Sequence, residues 1–230
     1  MKSEIKYAPK NLAEVIYPSV AVERRIKGYA SGQLEGHILL HGTNGSGKST
    51  VAKLLVDAIG GVNASVEYGV FEDLLEKNDL RGYLMQAASY ARFTEGKKHF
   101  LVLDEFDQAK KNVGKFWRAL DACGLDVMAI ITTNKPMEID RAIRSRCDLI
   151  EMNGVSAIAA LPRIQFMLMA EGLNLPDQQV LHYLKLKEQW MDMRKYAGVV
   201  DELLFLHNNQ LSLPSWTAVQ PSLKVVQPIV

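Results

Sequence analysis

Gly42-Thr43-Asn44-Gly45-Ser46-Gly47-Lys48-Ser49 decides the fold. It follows G-x-x-x-x-G-K-[ST], the spacing of a loop that wraps phosphate. A short apolar run at 37–40 leads into it. Residues 48–59 continue from it, with Val51, Leu54, Leu55 and Ala58 at helical spacing. Such a strand–loop–helix unit lets glycine backbones curl their N–H groups around anionic oxygens, and the helix start adds its dipole and unpaired donors. Lys48 supplies a cation for β- and γ-phosphates and Ser49 a hydroxyl for Mg²⁺, while Thr43, Asn44, Gly45, Ser46, Gly47 and Thr50 complete the cradle. A glycine-rich turn that binds nothing is the plain alternative, and the flanking strand and helix argue against it.

Outward from this loop, a short strand expected at 62–65 and compact apolar runs at 100–103, 127–131 and 149–152 alternate with helical patterns at 71–93, around Val113–Leu120 and earlier at 12–16 and 20–26. Apolar runs of this length between helices predict an α/β fold with a parallel sheet covered on both faces. After residue 156 the strand signal stops, and 157–170 and 178–207 read as helices. The expected organisation is therefore a nucleotide-binding core over 1–154, a helical unit over 155–208 and a loosely held tail over 209–230, where Pro214, Pro221 and Pro228 cluster.

Composition sets limits. The chain has 230 residues, 48% of them hydrophobic, and 27 Lys+Arg against 26 Asp+Glu give a net charge of +1. That excludes a disordered polyelectrolyte and a coating, nonspecific DNA binder, though not a local basic stripe. No apolar stretch is long enough to span a membrane. The polar start MKSEIKYAPK carries no secretory signal, and the two cysteines, Cys123 and Cys147, form no disulfide framework, so a cytoplasmic setting is expected. The five histidines show no ligand spacing with the cysteines, so no zinc site is expected.

The run at 100–103 closes in Asp104-Glu105. Ligands of parallel sheets bind at the carboxyl ends of strands, which puts both acids beside the phosphate loop. Neighbouring residues there point apart, so Asp104 would bind Mg²⁺ and Glu105 would orient the attacking water or take its proton. An acidic helix start is the competing explanation. The run at 127–131 leads into Thr132-Thr133-Asn134. Asn134, with Thr133 second, is expected to hydrogen-bond the water or the γ-phosphate, against the alternative of a turn residue before Pro136. Arg141, Arg144 and Arg146 crowd one segment before the last run. A guanidinium suits a γ-phosphate, and Arg146 is expected to act on a neighbouring subunit's site; a surface ion pair with Asp148 is the rival reading.

Together these residues resemble the clamp-loader group of AAA+ ATPases, most of all the small ATP-hydrolysing subunit of T-even-type bacteriophage clamp loaders. The likeness runs over about residues 5–205. It is carried by Tyr7-Ala8-Pro9-Lys10 with Leu12-Ala13-Glu14-Val15, the phosphate loop, Leu80-Arg81-Gly82, Leu103-Asp104-Glu105-Phe106-Asp107, Ile130-Ile131-Thr132-Thr133-Asn134 and Ser145-Arg146-Cys147. The resemblance implies a five-stranded AAA+ P-loop NTPase core with a small all-helical lid. It also implies ATP bound between subunits, self or homologous, in a ring or spiral, with Arg146 as the finger in trans. The work implied is loading a sliding clamp onto primed double-stranded DNA, in a host cytoplasm if the protein is viral. Trp190-Met191-Asp192-Met193-Arg194-Lys195 looks like the lid motif, making Arg194 the sensor of the γ-phosphate. Tyr7, Val15 and Ile16 would lie near the adenine.

The chain departs from the family pattern in two places. Ala8 stands where the motif has arginine, and little chain follows the lid where the family adds a helical collar of about 100 residues.

Lys111, Lys115 and Arg118 fall on one face of a helix whose other face carries Phe116, Trp117 and Leu120. Repeated around a ring, that stripe, with Arg81, could follow a phosphate backbone without reading sequence; a solvated helix face is the alternative. Two further function classes remain open: a stand-alone AAA+ regulator such as a helicase loader or transposition ATPase, and a small-molecule kinase, which the acidic pair and the arginine segment disfavour.

Overall fold

The computed structural model describes residues 1–69, 71–94, 96–106 and 113–211. Strands β1 (His37–His41), β2 (Ser65–Gly69), β3 (His99–Leu103), β4 (Val127–Thr133) and β5 (Cys147–Glu151) form one parallel sheet in the order β2-β3-β4-β1-β5. The helices are α1 (Ser3–Lys6), α2 (Val20–Ala30), α3 (Lys48–Gly60), α4 (Phe71–Glu76), α5 (Leu80–Ala91), α6 (Val113–Cys123), α7 (Arg141–Arg144), α8 (Ala157–Ala170), α9 (Asp177–Lys187) and α10 (Met193–Asn208).

The two-residue period of a strand explains the unbroken apolar runs. Leu39, Leu101, Leu103, Ala129 and Ile131 face one side, where Leu84 of α5 and Phe116, Trp117 and Leu120 of α6 cover them. Ile38, Leu40, Phe100, Val102, Met128 and Ile130 face the other, against Ile26 of α2 and Val51, Leu55 and Val56 of α3. Helices α8, α9 and α10 bury a third cluster of their own, including Ile164, Leu168, Val180, Leu184, Tyr196 and Leu203. The buried Tyr196 hydroxyl donates to Val155 O at 3.1 Å and ties this cluster to the segment that leaves the sheet.

Several elements differ from the sequence pattern. The second strand begins at Ser65 rather than 62, because Gly61 turns at φ +67° and Val62 is fully exposed. The helix expected over 71–93 is two helices, since Asp79 accepts the Gly82 N–H (2.9 Å) and starts α5 afresh. The helix expected over 178–207 likewise breaks after Lys187. Met191 adopts φ +45°, and Asp192 caps α10 by accepting the Arg194 N–H (2.8 Å). Aspartate competes with the backbone inside a helix and stabilises its start, so both breaks fall where an Asp can cap. No helix among the described residues is long and apolar enough to cross a membrane. Asp107, Lys111 and residues 212–230 of the expected tail lie outside the described residues.

Candidate nucleotide site

Strand order assembles the site. β4 lies between β1, which feeds the phosphate loop, and β3, which feeds the acidic pair. Extending the register Leu103↔Ile131 by one residue puts Asp104 opposite Thr132. Thr132 Oγ1 donates to Asp104 Oδ1 (2.5 Å) and accepts the Glu105 N–H (3.0 Å). Ser49 Oγ, in the first turn of α3, donates to the same Asp104 oxygen at 2.8 Å. Three side-chain oxygens, from the ends of β3 and β4 and the first turn of α3, thus meet at one point. Glu105 beside them has φ +52°, a left-handed backbone that costs a non-glycine residue about 1–2 kcal/mol. Its N–H bond to Thr132 helps hold it there.

The phosphate loop fits an anion. Gly45 and Gly47 take φ +70° and +88°, and a side chain added at Gly47 would meet no atom within 4 Å, so it would project into the open cradle. Ser46 Oγ is buried without a hydrogen-bond partner, a donor held ready inside the loop. Lys48 is buried, and its ammonium donates to Gly42 O (3.0 Å) and Thr43 O (2.7 Å). A buried ammonium among backbone donors and carbonyls is favoured by an adjacent anion. Ser49 and Asp104 offer hard oxygens of the kind Mg²⁺ prefers, and their proximity fits that ion. Among the described residues no cluster of three or more His, Cys, Asp or Glu side chains could hold a metal by itself.

A cavity of about 500 Å³ extends from this loop. Its phosphate end is lined by Asn44, Gly45, Ser46, Gly47, Lys48, Ser49, Thr50, Asp104, Glu105, Thr132 and Asn134. Its far end runs between the N-terminal segment, through Tyr7, Val15 and Ile16, and the helical unit, through Arg163, Met167, Met193 and Ala197. Arg194 lines it from the start of α10. That start rests on the phosphate loop: Met193 N–H donates to Gly45 O (3.1 Å), and the Asp192 carboxylate lies where a side chain on Gly45 would be. Asp192 also grips Arg194 Nε (3.2 Å) and Nη2 (3.1 Å), a hydrogen bond that raises the guanidinium further above its ordinary range.

Most residues singled out from the sequence meet here, with instructive exceptions. Thr43 is not a lining residue; its hydroxyl accepts the Gly154 N–H (3.1 Å) and fixes the loop to the segment after β5. Thr133, the second choice behind Asn134, is fully buried and accepts the Lys135 N–H (2.9 Å), so Thr132 rather than Thr133 faces the acids. The extended strand register carried that signal. Arg163 was not anticipated, since nothing local marks it. Arg146 lies outside the cavity lining, where Nε and Nη2 engage both oxygens of Asp121 (3.2 and 3.1 Å) and Nη1 donates to Ala142 O (3.2 Å). Its rival partner Asp148 is instead held by Arg25 and the Tyr29 hydroxyl. Arg81 is exposed on α5, Lys115 Nζ donates to Lys77 O (3.2 Å), and Arg118 Nε donates to Gly114 O (3.1 Å); none lines the cavity.

Fold and loop define a P-loop nucleotide-binding protein. A family model described as ATPase family associated with various cellular activities (AAA) matches residues 38–155, and the chain belongs to that family. The sliding-clamp-loader large subunit of Enterobacteria phage T4 is 29% identical over 211 residues, covering 86% of this chain and 63% of that protein. The replication factor C small subunit of Aeropyrum pernix is 24% identical over 208 residues, covering 87% and 62%. The chain thus spans less than two thirds of the length of these curated relatives. Among solved structures, RuvB from Thermotoga maritima superposes with a TM-score of 0.66 at 16% identity, over 89% of this chain and 68% of that one, a likeness of fold. The sequence-based resemblance to clamp-loader AAA+ proteins and the expected five-stranded parallel core are borne out.

Proposed function

We propose that the protein is an Mg²⁺-dependent ATP-hydrolysing motor subunit of a sliding-clamp loader. The observation that carries the chemistry is the convergence of Ser49, Thr132 and Asp104 at the lip of the phosphate loop, with Glu105 beside them. In this reading Lys48 and the loop N–H groups hold the β- and γ-phosphates. Ser49 and Asp104 hold Mg²⁺, whose chemistry is to offset phosphate charge. Glu105 orients the attacking water and accepts its proton, and Asn134 and Arg194 contact the γ-phosphate side. Thr132 positions both acids. Residues 1–154 act as the core, and 155–208 as a lid closing on the nucleotide.

Arg146, at the surface, completes the site of an adjoining subunit, either a copy of this chain or a homologue, in a ring or spiral. The clamp-loading assignment is supported by likeness to sliding-clamp-loader and replication factor C subunits along about 86% of the chain, helical unit included. The client is a ring-shaped clamp on primed double-stranded DNA, and Arg81, Lys115 and Arg118 contribute positive charge toward its backbone. The setting is the cytoplasm, that of the host for a phage protein.

Steady-state ATP turnover, measured alone and then with a clamp and primed DNA, tests the reading. Stimulation by both together, with the clamp retained on circular primed DNA, is the expected result. Turnover indifferent to the clamp but raised by a replicative helicase would instead favour a helicase loader.

A further inference from the structure

We infer that Arg163 is a positioning residue for the nucleoside end of the site: it fastens the N-terminal strap, residues 2–16, to α8, so that affinity for the base and the seating of the three-helix unit depend on each other. The inference rests on the nucleotide reading above and adds the group that shapes the end away from the phosphates.

One guanidinium nitrogen of Arg163 serves two acceptors in the strap. Nη2 donates to Tyr7 O at 3.0 Å and to Glu14 Oε2 at 3.1 Å. The side chain is 16% exposed and lies over the Phe166 ring, 5.2 Å from its centroid. Glu14 is itself held, since its carboxylate accepts the Lys10 N–H (3.3 Å) and Asn11 Nδ2 (2.9 Å). These contacts hold its carboxyl below the usual range, the Lys10 N–H most of all. Asn11 in turn caps the turn Leu12–Glu14. Arg163 therefore grips both ends of one compact loop, at Tyr7 and at Glu14.

Other ties repeat the pattern. About two turns further along the helix axis, Glu171 accepts the Tyr7 hydroxyl (2.8 Å) and Lys6 Nζ (2.5 Å). Asp201 of α10 accepts the Ser3 N–H (3.0 Å) and Oγ (2.7 Å). The first part of the strap is thus bonded to the helical unit. Its later part also reaches the core, where Leu12 and Val15 join the cluster under the sheet while Ile16 packs with the helical cluster. The cavity runs between these two attachments, with Ala8, Pro9, Val15 and Ile16 on one wall and Arg163 and Met167 on the other. A flat, mostly apolar ring held there would touch both walls, and Arg163 sets the gap. The two N–H bonds of Nη2 are held in the guanidinium plane, so this one nitrogen fixes both acceptors in a set geometry, which a freely rotating ammonium on a flexible stem holds less firmly.

The test is calorimetric titration of the full chain with ATP, ADP and inorganic tripolyphosphate, using the parent, Arg163→Met and Arg163→Lys. Arg163→Met is expected to weaken ATP and ADP about tenfold, as for loss of charge-assisted hydrogen bonds, and to leave tripolyphosphate unchanged. Arg163→Lys, able to keep one of the two contacts, is expected to stay within about threefold of the parent. Undiminished ATP affinity in Arg163→Met overturns the inference. So does an equal loss for tripolyphosphate, which would mark a general defect in folding. A parent chain that binds none of the three would instead remove the nucleotide reading itself.

Discussion

At the phosphate end of the cavity, Lys48, Ser49, Asp104, Glu105, Thr132 and Asn134 stand at or just past the end of a buried strand or in the first turn of the helix that strand feeds. At the nucleoside end, the walls are joined by side chains from opposite ends of the chain: Ser3 to Asp201, Tyr7 to Glu171 and Arg163 to Glu14. The sheet is packed on both faces and cannot shift one strand without disturbing its neighbours. The strap is held by partly exposed hydrogen bonds and ion pairs, and exposed pairs are worth about 0–1 kcal/mol each. On the proposed reading, this difference divides the work: chemistry that needs atoms fixed closely would belong to the sheet ends, and closure on the nucleotide to the strap and helices.

The largest effect is expected at the phosphate end. Glu105→Gln removes the proton acceptor but keeps the shape, so ATP should still bind while turnover falls by about 10²–10⁴; single-turnover kinetics beside binding isotherms would separate the two. If turnover survives, the sheet end does not carry the chemistry. Lys48→Ala should come next, removing a buried cation from an anion site at a cost of about 2–5 kcal/mol in nucleotide affinity, read by calorimetry with ATP and tripolyphosphate alike.

Thr132→Val deletes the hydroxyl that serves both acids and leaves the Glu105 N–H without its acceptor, costing about 1–3 kcal/mol. Turnover should drop, the dependence on Mg²⁺ concentration should shift upward, and the melting temperature should fall by about 2–12 °C. The smallest effect belongs to the lid side and has the opposite sign. Met191 holds φ +45°, so Met191→Gly relieves strain of up to about 1 kcal/mol, and a higher melting temperature with unaltered turnover is expected. A strong loss of turnover there would blur the distinction between the two ends.

How much of this could be read from the sequence follows the same division. The phosphate loop, Asp104-Glu105 and Asn134 are local signals, because strand, loop and helix succeed one another within a few residues and the chemistry sits at the join. Four of the five strands were each marked by an apolar run; β2 was not, and Val62 misled, its β-branched side chain lying in an exposed turn after Gly61. The helix breaks at Asp79 and Asp192 were present as capping residues but were overridden by the apolar spacing on either side. Thr132 was within reach once Asp104 was aligned against its neighbouring strand. Arg163 was not, because its partners lie 149 and 156 positions away, and no periodicity records a contact of that span. Ala8, where the resembling motif has arginine, lines the same cavity as Arg163. The two-pronged hold of Asp121 on Arg146 was equally invisible, since Asp148 was the nearer acid in sequence.

The most direct test of the account mixes two inactive chains. Lys48→Ala lacks the cradle but keeps its arginine, and Arg146→Ala keeps the cradle but lacks the arginine. Each alone should hydrolyse ATP about 10³-fold or more below the parent, while an equimolar mixture with primed DNA should recover turnover, because one copy's Arg146 can serve the other's intact loop. Arg146→Ala turning over ATP as fast as the parent, or a mixture as inert as its components, would contradict a site completed between subunits.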